Sequence, residues 1–174
     1  MSRERTRSYA FEGAKPEIDG NARVSRESTL VGDVRVGSEA SVWPGAVLRG
    51  DVGPVVVGER SHVGDNATIH ASTLGERVMI GHGAVLNDAT VEDGALVGFN
   101  ASINSHVVIG AGSIVASGTT VPEGYEIPEK SFVRGVPAEV TPLSETTIDP
   151  EAIFEDHSSG AYTNLAGRHE ELFE

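Results

Sequence analysis

The sequence predicts an all-β chain wound as a parallel β-helix of triangular section, with an α-helix packed on its outside. Three observations predict it. An aliphatic residue recurs at about every sixth position, glycine often follows it, and the pattern stops before the last thirty or so residues. A period of six fits neither the 3.6-residue turn of a helix nor the two-residue alternation of a hairpin. It fits flat sides of about six residues, each turning one branched side chain inward, with three sides closing a turn.

Ile18, Val24, Leu30, Val36, Val42 and Leu48 begin the count. It breaks at 49–56 and resumes at Val57, Val63, Ile69, Leu74, Ile80 and Leu86. Val91, Val97, Ile103, Ile109, Val115, Val121 and Ile127 complete it. These nineteen sides give about six turns of 17–18 residues over roughly 18–130. Glycine, Asn and Asp at the corners accept the positive φ of tight turns.

Residues 1–142 read as the β-helix domain and 143–174 as a helical appendage. Asp149-Pro150 suits an N-cap followed by proline in the first helical position. Tyr162, Leu165, Ala166, His169, Leu172 and Phe173 then form an apolar stripe suited to one helix lying on the prism.

Acidic residues number 26 against 13 basic, a formal charge of −13. Such a surface repels nucleic acid and anionic lipid, so neither is an expected partner. It suits a cytosol of high salt. With no cysteine there is no disulfide, thiolate ligand or thiol nucleophile. No segment reaches membrane-spanning length, and the chain reads as soluble and cytoplasmic.

Three sides make a turn, so Ile69, Leu86 and Ile103 stack on one face. The residues that follow them, His70, Asn87 and Asn104, form a column with neighbours about 4.8 Å apart. His82 belongs to another side and does not reach that column within its own chain. A three-fold assembly would bring it against His70 and Asn87 of the next protomer. His106 stands outside the column, and His157 and His169 lie in the tail, where surface or packing roles are expected.

WPGAVLRGD at 43–51, VGERS at 57–61, DNATIHA at 65–71, IGHGAVL at 80–86 and RGVPAEV at 134–140 together resemble the γ-class carbonic anhydrase family, over roughly residues 12–143. The resemblance implies a left-handed β-helix of hexapeptide repeats, a homotrimer, and reversible hydration of CO2 to bicarbonate. It also implies a zinc ion (or iron or cobalt) held between subunits by three histidines. Two match His70 and His82, and the third falls on Asn87. Three neutral imidazoles leave the ion its charge and a fourth position for water, whose pKa drops to about 7. An amide oxygen is a poorer zinc ligand than an imidazole nitrogen.

His62 and Gly64 stand where the family commonly has Asn and Gln. That glutamine orients the metal-bound water, which glycine cannot do, and His62 is a candidate substitute ligand. Val52 replaces a glutamate of some members. Arg49 and Asp51 match a pair that joins across the subunit interface. Tyr162 and Asn164 resemble a Tyr-x-Asn pair near the substrate pocket of some members. The alternatives to a carbonic anhydrase weakened or silenced by Asn87 and Gly64 are a non-catalytic trimeric scaffold or binding protein and a hexapeptide acyltransferase using coenzyme A. The last of these carries its histidine on an extended loop, and the interruption at 49–56 is short and has none.

Overall fold

The computed structural model describes residues 7–157 and 159–173, the side chains of 154–157, 159, 160, 162 and 163 excepted. The chain winds as a parallel β-solenoid with three flat faces. The first face stacks Arg7–Tyr9, the starts of Thr29–Val36 and Val47–Val57, then Thr68–His70, Val85–Asn87, Ser102–Ile103 and Thr120–Val121. The second runs from Arg23–Val24 through Ser41–Val42, His62–Val63, Met79–Ile80, Leu96–Val97 and Ile114–Val115 to Ser131–Arg134. The third begins at Glu17–Ile18, continues through the ends of the two long strands, and finishes at Glu126–Ile127.

Each face is seven strands deep, so the solenoid has seven turns rather than the six that the sequence suggests. The additional sides centre on Ser8, whose polar side chain gives no aliphatic signal, and Val133, which continues the six-residue count. Of the nineteen positions read from the sequence, all but Ile18 are buried. Ile18, 39% exposed, sits in the first turn, where no earlier coil covers it.

The interruption at 49–56 does not break the strand. Val47–Val57 runs continuously, with its two ends on two different faces. It pairs with Thr29–Val36 through a register shift between Gly32 and Val34. A Cβ on Gly50 would lie 2.1 Å from the Asp33 carbonyl oxygen, so only glycine fits this crossing. The extra residues push Asp51 and Val52 outward beside the first face, with Val52 81% exposed.

One column of corners departs from turn propensity. Glu39, Arg60, Arg77 and Lys130 all have positive φ, a conformation that costs about 1–2 kcal/mol for an L-residue. A backbone bond to the turn below offsets it: the amides of Arg60, Arg77 and Lys130 donate to Ser38, Glu59 and Ala111 at 2.8–2.9 Å. Arg60 also pairs with Glu39 at 3.1 Å.

The tail caps as expected, with the Asp149 carboxylate accepting from the amides of Glu151 and Ala152 at 3.0 and 3.3 Å. The single striped helix does not form. Ser159–Ala166 and Glu170–Phe173 are separate helices, divided after Ala166 where Gly167 follows. The break lets the last residues fold over the second face, where His169 and Phe173 meet the Trp43 ring edge-on at 5.8 and 5.3 Å. Arg26 secures the end through the carbonyls of Glu171 and Leu172. Among the described residues no helix is long and apolar enough to cross a membrane.

Candidate functional site

The site is built on one edge of the first face. Arg49, His70 and Asn87 are successive Cα partners in three adjacent turns. The expected column is therefore present for His70 and Asn87 and extends to Arg49. Asn104 leaves it, because its side-chain amide donates to the Val121 carbonyl at 2.8 Å. The His70 backbone is held by Ser72, whose hydroxyl donates to its carbonyl at 2.8 Å while accepting from the Ala89 amide.

The side chains form a closed polar chain. His70 Nε2 lies 2.9 Å from Asp51 Oδ1, and Nδ1 lies 2.7 Å from Asn87 Oδ1. Asn87 Nδ2 donates in turn to Ser105 Oγ at 2.8 Å. Arg49 Nη2 also approaches His70 Nε2, at 3.3 Å. Within the chain, Arg49 pairs with Asp51 at 3.3 Å. Burial tends to raise the Asp51 carboxyl, but the His70 hydrogen bond, a backbone bond and Arg49 together hold it below its usual value.

His82 stands on the corner after the second face. Its ring stacks on Phe99 at 5.2 Å with an 11° tilt, and Nδ1 lies 3.1 Å from the Asp65 amide and 3.3 Å from the Asp65 carboxylate. Phe99 and Asp65 lie one turn above and one below, at a spacing of 17, which is the one sequence signal that could have found them. Ser105, 18 residues from Asn87, carries the same signal.

His62 is 1% exposed and packs edge-on against Trp43, with its Nδ1 3.1 Å from the Ser41 hydroxyl. Burial first, and the nearby His82 second, push its pKa down to about 3. Asn164 is exposed on Ser159–Ala166, and the Tyr162 side chain lies outside the described residues. His106 pairs with Asp88 at 3.0 Å, away from the column.

Residues 88–123 match the bacterial transferase hexapeptide family (six repeats). Gamma carbonic anhydrase 1 of Arabidopsis thaliana, a mitochondrial protein, is 36% identical over 97% of this chain. The chain belongs to the γ-class carbonic anhydrase family of hexapeptide-repeat proteins. It spans 64% of the length of that relative, just under two thirds. The carnitine operon protein CaiE of Escherichia coli is 34% identical over 92% of this chain and 83% of its own length. Among solved structures, a hexapeptide transferase family protein from Anaplasma phagocytophilum superposes with a TM-score of 0.87 at 29% identity, covering 93% of this chain and 97% of that one.

The residues of this γ-class chain do not fit the three-imidazole centre that the family implies. Within one protomer, no three His, Cys, Asp or Glu side chains among the described residues converge as a metal-binding group. Of the set expected between subunits, position 87 offers an amide oxygen. His70 has both ring nitrogens committed to oxygen acceptors.

Proposed function

We propose that the chain forms a homotrimer in which the family's interface site persists as an assembly and small-molecule binding feature, without CO2 hydration. The observation that carries this reading is the commitment of His70 to Asp51 and Asn87 at 2.9 and 2.7 Å. Hydration at neutral pH needs a water acidified to a pKa of about 7 by an ion on three protein ligands. Two imidazoles and an amide supply a weaker set, and one of the imidazoles is already engaged.

The trimer reading draws on charge. One column of outward positions on the first face, Thr29, Val47, Thr68, Val85, Ser102 and Thr120, is uncharged on a chain of net charge −13, with Arg7 at its start and Arg49 and His70 beside it. A flat column of uncharged side chains suits burial against another copy.

A second reading, CO2 hydration itself, is favoured by the presence of Arg49, Asp51, His70 and His82 at matching positions. An acyltransferase has no such support, since the 49–56 interruption is a histidine-free strand. Stopped-flow CO2 hydration separates the first two. The protein is assayed as purified and after addition of zinc, ferrous iron or cobalt. The proposed reading expects the uncatalysed rate throughout; a metal-dependent acceleration establishes hydration instead.

A further inference from the structure

We propose that the cleft between the second face and the helix Pro150–His157 is a binding site for a small neutral molecule, an aromatic or branched aliphatic group of about eight non-hydrogen atoms. The site lies apart from the edge that carries His70, and its occupation does not depend on whether the chain hydrates CO2.

The cleft follows from the residues of one corner. Trp43, Gly64, Gly81, Gly98 and Ala116 stand after the second-face strands of successive turns. At Trp43 the tail closes on the wall, because the indole projects and meets His169 and Phe173. At the glycines nothing projects. The backbone requires them there: a Cβ on Gly81 would lie 2.8 Å from the Phe99 nitrogen, and one on Gly98 2.5 Å from the Ser117 nitrogen. Ile153 closes the space from the helix side and leaves a cavity of about 190 Å³.

The lining selects the chemistry of the occupant. Met79 and Val97 form a buried floor with Gly81 and Gly98, and Leu96, Phe99 and Ile153 make the walls. No described residue of the lining is charged, so an ion would be buried without a partner. The amides of Met79, Gly81, Leu96 and Gly98 already donate within the solenoid at 2.7–2.9 Å. Water needs two to four polar partners, and the one side-chain oxygen or nitrogen in the described lining is the Ser117 hydroxyl. A cavity of about 150 Å³ with aliphatic and aromatic walls holds benzene, which sets the size of the group admitted here.

Ser117 and Phe99 are exposed and form the mouth. The Ser117 hydroxyl accepts from the Phe99 amide at 3.1 Å, which leaves its own proton to donate to one carbonyl or ether oxygen of the occupant. Phe99 also stacks on His82 at 5.2 Å, so an occupant of the cleft sits one ring away from the interface histidine.

The test follows the methyl 1H–13C spectrum of the unaltered protein during titration with acetophenone, which is neutral and carries one carbonyl oxygen. Benzoate, of similar size but anionic, is titrated in parallel. Acetophenone is expected to move the methyls of Met79, Leu96 and Ile153 saturably, with half-saturation at ~1 mM or below. Benzoate is expected to bind at least ~10-fold more weakly. Ile153→Trp fills the cleft from the helix and leaves the solenoid as it is, so the saturable shift is expected to disappear. The proposal is overturned by any of three results with the unaltered protein. These are no saturable shift, as when a neighbouring copy fills the cleft; shifts scattered over outward methyls such as those of Val85; or benzoate binding as tightly as acetophenone. Acetophenone affinity that survives Ile153→Trp overturns it as well. None of these results bears on hydration, which the stopped-flow assay decides.

Discussion

His70 and Asn87 are Cα partners in adjacent turns, and their side chains meet with Nδ1 2.7 Å from Oδ1. The register of a parallel β-solenoid makes this contact unavoidable once Ile69 and Leu86 both point inward. What the contact does then depends on residue type. A second imidazole there would leave two nitrogens facing outward together, whereas an amide satisfies the first ring and ends the chain at Ser105.

Replacing Asn87 by alanine removes the acceptor from a ring whose side chain is only 18% exposed. A loss of about 1 kcal/mol in unfolding free energy is expected, as for one net hydrogen bond. Urea unfolding monitored by circular dichroism measures it; an unchanged midpoint and slope would show that the bond contributes nothing.

Val85 projects from the uncharged column of the first face and is 44% exposed in the protomer. Val85→Asp places like charges on every copy of that surface, so light scattering after gel filtration is expected to report a monomer with unaltered strand content. A trimer that survives the substitution puts its interface on another face.

His62 makes acid stability measurable at one residue. Its pKa is about 3 in the folded chain against an ordinary 6.5. Between these values the unfolded state binds a proton that the folded state refuses, so stability falls as pH decreases through the window. The slope is at most about 1.4 kcal/mol per pH unit. His62→Gln lacks this component. Its unfolding free energy, relative to the natural chain, is expected to improve from pH 7.5 to pH 5, and a constant difference would place a charged or exposed histidine at 62.

Trp43 is the chain's one tryptophan, 7% exposed, and is covered by His169 and Phe173. Phe173→Ala is expected to shift its emission to the red and lower stability by on the order of 1 kcal/mol. An emission maximum that does not move would mean that the tail does not lie on the second face in solution.

The inward aliphatic ladder was legible because each side of the solenoid repeats one physical demand, a branched side chain at a fixed interval. Ser8 escaped it because the first turn has no coil below to exclude water. Arg60, Arg77 and Lys130 escaped turn propensity because a bond to the turn below compensates for their strained φ. The pairing of 70 with 87 followed from counting, but the departure of Asn104 did not, since its amide had a carbonyl within reach. The seat of His82 was hidden for a different reason. It depends on a rotamer that Asp65 and Phe99 select, from turns below and above.

The most direct test is elemental analysis of the protein purified without chelators from cells supplied with zinc, iron and cobalt, followed across its gel-filtration peak. The account predicts that no metal tracks the protein in fixed ratio. One ion per chain, rising and falling with the peak, would contradict it.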